Sequence, residues 1–175
     1  MPILRILKFP DPRLNEESVL IEEFGEELKT LASDMIETMV AAPGVGLAAP
    51  QVGKLLRMIV IERAVPSEED PQPPSDPMAL VNPEIMSAEG SQVFNEGCLS
   101  VEDFQSEVTR YMKVEVEAQD LDGNFFTMEA EGRMAVILQH EIDHLDGVLF
   151  LNHVNPLKRS MYTKSLLKRR KKGRD

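Results

Sequence analysis

The segment His140-Glu141-Ile142-Asp143-His144 constrains this chain more than any other five residues. The chain holds only 3 histidines, and two of them stand four positions apart here. On an α-helix, positions i and i+4 share a face, so both imidazoles can be presented to one metal ion. Glu141 projects from the adjacent position, where it can reach a water on the metal rather than the metal itself. With 3 His and 20 Glu in 175 residues, chance supplies this pattern about 0.006 times per chain. The flanking residues also call for a helix. From Arg133, Met134, Ile137, Leu138, Ile142 and Leu145 recur on neighbouring faces, and Asp146-Gly147 ends the run.

Two histidines leave a catalytic centre one ligand short, because catalytic zinc and iron sites commonly use three protein ligands and keep a position for water. His153 lies beyond the Gly147 break and does not complete the longer zinc-protease pattern. The other candidate is Cys98, the single cysteine, within Glu96-Gly97-Cys98-Leu99-Ser100. An isolated cysteine is more often an inert buried thiol. The flanking Gly97 and the unfilled metal position reverse that preference.

A third segment, residues 44–53, reads Gly-Val-Gly-Leu-Ala-Ala-Pro-Gln-Val-Gly. Its glycines and alanines let a ligand or strand lie against backbone, and Gln51 can donate an amide hydrogen bond to an oxyanion. It follows a helix, and Pro50 spoils a dinucleotide-binding start. The phosphate-loop spacing also fails. Taken alone, it reads as a tight loop.

The rest of the chain alternates less regularly. Residues 1–20, with Pro2, Pro10 and Pro12, read as an extended arm with turns. Residues 24–42 read as a helix, with apolar residues three and four apart, stopped by Pro43-Gly44. A strand is expected over residues 55–61, then a proline-rich mobile loop over 64–78, then a resumed strand at 79–81 before Asn82-Pro83. Val114, Val116 and Ala118 alternate with Glu115 and Glu117 and lead through a turn at residues 121–124 into 125–129, a hairpin. A last helix is expected from Pro156. Strands and helices segregated in this way point to a single α+β domain.

Charge divides the chain. The formal total is −11, but residues 158–175 hold nine basic residues and one acid, net +8, and the remaining 157 residues carry −19. Such a body repels phosphate, so nucleic acid is approachable only through the tail, and DNA is not an expected partner. No apolar run approaches the 18 to 20 or so residues that would span a bilayer. The opening residues lack the pattern of a secretory signal. One cysteine cannot form an intrachain disulfide, and a cytoplasmic setting is expected.

Residues 44–51, 96–100 and 139–147 closely resemble, in the same order, the three motifs of the peptide deformylase family. The resemblance extends over about residues 3–152, including the opening Ile-Leu and Asp-Pro-Arg-Leu and Val81-Asn82-Pro83. It implies antiparallel β-sheets surrounding a central metal-binding α-helix, with an N-terminal and a C-terminal helix. The catalytic domain would span residues 1–157, and residues 158–175 would form a basic helical tail. The activity implied is removal of the N-formyl group from the formyl-methionine of nascent bacterial polypeptides, with release of formate. Carried onto this sequence, Cys98, His140 and His144 hold the metal, typically Fe²⁺ with Zn²⁺, Ni²⁺ or Co²⁺ as substitutes. Glu141 is the general base and then acid, while Gln51 and the backbone N–H of Leu99 stabilise the oxyanion. Val45, Gly46 and Gly97 align the peptide, and Val136 and Ile137 receive the methionine side chain.

The chain departs from the family pattern at Glu102, where proline is usual, and at Gln105, where a basic residue often stands. It also departs at Arg133, where the pocket rim is often apolar, and in the longer loop at 64–78. A zincin-type metallopeptidase would share the histidine helix but leave Cys98 and residues 44–51 unused. A structural metal site in a nucleic-acid-binding module would need a fourth ligand. For an enzyme that meets nascent chains, the tail suggests contact with ribosomal RNA.

Overall fold

The computed structural model describes residues 3–173. Three helices are present: α1 (Glu26–Ala41), α2 (Gly132–Leu145) and α3 (Pro156–Lys171). Seven strands accompany them: β1 (Gly46–Ala48), β2 (Met58–Glu62), β3 (Pro77–Glu89), β4 (Gln92–Cys98), β5 (Val101–Arg110), β6 (Lys113–Gln119) and β7 (Phe125–Glu131). They form a five-stranded sheet in the order β1-β2-β3-β6-β7 and a two-stranded sheet β4-β5. Among the described residues these strands pair antiparallel throughout. The class is α+β, as the sequence implies.

The run Met58-Ile59-Val60-Ile61 is buried throughout because helices cover both faces of the sheet. Ile59 and Ile61 pack with Leu138, Ile142 and Leu145 of α2. Met58 and Val60 pack with Leu28, Met35 and Met39 of α1. Successive strand residues point to opposite faces, so one strand serves two cores. Burying each such side chain stabilises the fold by roughly 1.5–3 kcal/mol. The central helix is thus pinned against the sheet by its Ile, Leu and Ala side, and its histidine side is left for the β4-β5 hairpin.

A third core joins Leu7 and Leu14 of the N-terminal arm to Val101, Val108, Leu149, Phe150, Tyr162 and Leu166. The arm also straps two site segments together. Leu7 N–H donates to the Gln51 carbonyl and Phe9 N–H to the Ser100 carbonyl, both at 2.7 Å. Residues 1–2 of the expected arm lie outside the described residues.

Three boundaries differ from the sequence reading. Strand β3 does not stop at Asn82-Pro83 but runs on to Glu89, with register irregularities between Val81 and Glu84 and between Ile85 and Ser87. The bulges absorb the proline, and Asn82 sits at φ 51 with its side chain bonded to Ile21 and Gln119. The same strand already begins at Pro77, inside the expected loop. Residues 44–53 are more than a loop, because Gly46–Ala48 pairs with β2 and Ala49–Val52 forms a 3₁₀ turn.

The basic segment is also more integrated than a tail. Its helix starts at Pro156, capped by Asn155 Oδ1 accepting from Leu157 N–H at 2.8 Å. Tyr162 and Leu166 are buried, and the Tyr162 hydroxyl donates to the Glu102 carbonyl at 2.7 Å. Residues 174–175 lie outside the described residues.

Just past the end of α2 stands Gly147, whose φ of +74 is left-handed and whose Cβ, if present, would lie 2.5 Å from the Asn15 carbonyl oxygen. Gly147→Ala is therefore expected to destabilise the protein by more than about 1 kcal/mol in urea unfolding.

Candidate metal centre and substrate cleft

Cys98 closes strand β4, while His140 and His144 stand one turn apart on α2. The three residues each offer a ligand atom, and these atoms lie within 4.8 Å of one another. Cys98 Sγ is 3.5 Å from His144 Nε2. His153, the remaining histidine, is elsewhere, with its Nε2 3.0 Å from Asp143 Oδ2.

A buried ion network orients the first imidazole. His140 Nδ1 lies 2.8 Å from Glu96 Oε1, so that nitrogen carries the proton and Nε2 is left for a metal. Arg110 grips the same carboxylate with two bonds, Nε to Oε2 at 2.7 Å and Nη2 to Oε1 at 2.9 Å. Its Nη1 reaches Asp143 Oδ2 at 2.7 Å. Burial alone would raise the pKa of Glu96, but the hydrogen bonds from Arg110 and His140 outweigh it and hold the group at about 2. Phe150 stacks on the His140 ring at 5.9 Å.

The sequence reading did not give roles to Arg110, Asp143, Ser100 or Phe150. A signal existed for Arg110. Ser106, Val108 and Arg110 occupy alternate inward positions of β5, and an inward-facing charge requires a buried partner.

Glu141 is held against backbone. A Cβ at Gly46 would fall 2.7 Å from Glu141 Oε1 and 2.8 Å from its Cγ, so only glycine admits the carboxylate there. Glu141 Oε2 is buried and has no hydrogen-bond partner among the described residues. Burial raises the pKa of this carboxyl to about 7. Gln51, on the 3₁₀ turn, is fixed by its Oε1 accepting from Ala48 N–H at 2.9 Å. Its Nε2 donates to Ser100 Oγ at 3.0 Å and points at Cys98 Sγ, 3.6 Å away.

These groups meet at a cleft of about 410 Å³. Val45 and Gly46 form one wall, Gly97, Cys98 and Leu99 the other, and Val136, Ile137, His140 and Glu141 the floor. Gln51 lines it as well, whereas His144 is buried and not part of the lining. Gln105 and Arg133 are exposed at the rim. Glu102 faces away, paired with Lys8 at 3.3 Å.

One thiolate and two imidazoles form a donor set suited to zinc, ferrous iron and their neighbours. The buried Oε2 of Glu141 beside them is a proton acceptor with no donor among the described residues. The residues fit a metal.

The metal-free protein carries a pH dependence of its own through Glu141. Its folded form holds the Glu141 proton more tightly than the unfolded chain, whose group titrates near 4.5, so stability is lost as pH rises from 4.5 through about 7. After chelation, the melting temperature of the parent should therefore fall between about pH 5 and 8 relative to that of Glu141→Gln. Parallel melting curves for the two would contradict this.

Comparison with known proteins agrees with the site. A family model described as polypeptide deformylase matches residues 3–160. The peptide deformylase of Desulfotalea psychrophila is 49% identical over 168 residues, covering 96% of this chain and 97% of that protein. That of Zymomonas mobilis is 48% identical over 176 residues, covering 100% and 99%. The crystal structure of a peptide deformylase from Legionella pneumophila superposes with a TM-score of 0.86 at 43% identity, covering 99% of each chain. That of the Ehrlichia chaffeensis protein in complex with actinonin gives 0.88 at 36% identity, covering 97% of this chain and 98% of that one. The zincin-type reading is not favoured.

Proposed function

Because this chain belongs to the polypeptide deformylase family and removes the N-formyl group from nascent polypeptides, we propose how its own residues divide that work. The family is metal-dependent. Cys98, His140 and His144 hold the metal, and ferrous iron is our assignment, with Zn²⁺, Ni²⁺ or Co²⁺ able to substitute on the same donors. When bound, the cation supplies Lewis acidity, polarising a carbonyl and lowering the pKa of water from about 16 toward 7.

Glu141 takes the proton of the attacking water on its unpartnered Oε2 and returns it to the departing amine. Gln51 Nε2 and the Leu99 backbone N–H hold the negative oxygen as it forms, a donation worth about 2.7–4 kcal/mol each in comparable sites. The peptide lies extended between two strand edges. β1 ends the five-stranded sheet and β4 is an edge of the small one, so backbone at Val45, Gly46 and Gly97 can pair with it. Main-chain pairing suits an enzyme that accepts many second residues. The methionine side chain lies against Val136 and Ile137.

The observation that carries this reading is the convergence of a cysteine sulfur and two imidazoles beside a buried carboxyl group whose Oε2 has no partner among the described residues, in that cleft. Anaerobic purification, metal analysis and an assay of formate release from formyl-Met-Ala-Ser test it. Absence of formate from the ferrous enzyme would overturn it.

A cytoplasmic location follows from the substrate, and no helix among the described residues is long and apolar enough to cross a membrane. The ribosome is the proposed partner of α3. Its exposed surface carries Lys158, Lys164, Lys168 and Lys171, with Lys172 at its C-cap, suited to phosphate. Truncation would remove buried Leu166 from the core, so charge reversal at Lys164, Lys168, Lys171 and Lys172 is the cleaner test. Ribosome co-sedimentation should weaken and lose salt dependence, while turnover of short peptides persists; unchanged binding would refute the contact.

A further inference from the structure

Among the described residues, Arg133 is the one exposed charged side chain on the cleft lining; Glu96 and Glu141 also line it, but both are buried. Its guanidinium makes no hydrogen bond or ion pair among the described residues. Long cations at a protein surface usually find a carboxylate when the surrounding body carries −19, and this one faces a substrate cleft instead.

Its place on α2 says what it can meet. Arg133 precedes His140 by seven residues, about 10 Å along the helix axis, with Val136 and Ile137 between them. In an extended peptide, side chains two residues apart point the same way and lie about 6.8 Å apart. With the methionine of the substrate against Val136 and Ile137, the side chain of the third residue projects toward the same helix, within reach of a long side chain at position 133. The second residue points the other way.

We infer that Arg133 is a specificity-determining residue, favouring formyl peptides with an acidic side chain at the third position. The inference rests on the proposed placement of the methionine. An exposed ion pair corresponds to roughly a 2–5-fold preference. It acts against the background of the acidic body, which repels anionic peptides.

The test compares kcat/KM for three formyl peptides, formyl-Met-Ala-Glu, formyl-Met-Ala-Ser and formyl-Met-Ala-Lys, in the parent, Arg133→Met and Arg133→Glu. The ratio within each enzyme is the readout. The parent should prefer Glu over Ser over Lys, with the difference in KM and shrinking as salt is raised. Arg133→Met should flatten the order and Arg133→Glu invert it. A flat series in the parent, or an order that survives in Arg133→Met, overturns the inference. The parent's salt dependence decides it even if both variants fail to fold. Failure of the deformylase reading would look different, since none of the three peptides would then release formate. A first-residue series, formyl-norleucine against formyl-alanine, in Val136→Ala reports separately on where the methionine lies.

Discussion

Glu141→Ala is expected to bind its metal with parental stoichiometry and to lose turnover by about 10²–10⁴-fold or more. The two effects separate because Glu141 is not among the three residues whose ligand atoms converge. Its Oε1 lies 3.9 Å from His140 Nε2, beside the metal position rather than in it. The carboxylate is buried, pressed against Gly46 and unpartnered at Oε2, so truncation removes the proton carrier and nothing else nearby can replace it. The loss should fall on kcat, because the step it serves occurs after the peptide is seated. Metal analysis together with formate release decides the matter. A variant that keeps its metal and still turns over at the parental rate would show that Glu141 is not the base.

Arg110→Ala is expected to be the most destabilising single change in the site region, costing about 3–5 kcal/mol. That is a large share of the roughly 5–15 kcal/mol available to a domain of this kind. The arginine is buried and its three nitrogens are committed to Glu96 and Asp143. Removing it leaves Glu96 buried and charged with only His140 for company. The same change loosens the imidazole, so metal affinity should drop by about 10–100-fold.

Acid unfolding gives a second readout. Glu96 is held at about 2 against an ordinary 4.5, so its stabilisation is complete above 4.5 and disappears as pH falls toward 2. Arg110→Ala should lose that acid-side dependence. Adding Glu96→Gln removes the stranded charge and should recover part of the stability but not the metal affinity. A cost below about 1 kcal/mol with unchanged affinity would mean that the network does not hold the site.

Much of the fold was legible because periodicity speaks for elements that bury one face. Helix α1 and the hairpin of β6 and β7 carry clean 3.6- and 2-residue patterns, and both stand where their patterns place them. The boundaries that moved have tertiary causes. Asn82-Pro83 looks like a stop, yet bulges in β3, a hydrogen bond from Ile21 N–H to Asn82 Oδ1 and one from Asn82 Nδ2 to Gln119 Oε1 carry the strand past it. Residues 158–171 look like a solvated basic run, because two buried residues, Tyr162 and Leu166, are too few to register as a face.

The chemistry was legible for a different reason. A histidine pair at i and i+4 on a helix is a local pattern, so spacing alone singles out His140, Glu141 and His144, and Cys98 became a candidate through its flanking Gly97 and the position the two histidines leave open. By itself the sequence singled out the three residues whose ligand atoms converge, the helix that carries the two histidines and the family to which the chain belongs. The tertiary structure alone decided what surrounds those atoms. It brings Arg110 and Glu96 from the β4-β5 hairpin onto His140, and it presses Gly46 against Glu141 from a strand 95 positions away in the chain. Finally, it turns Arg133 into a lone cation at the cleft rim. Ion pairs and close contacts between distant segments leave no periodic trace, because only the folded chain brings them within a few ångströms.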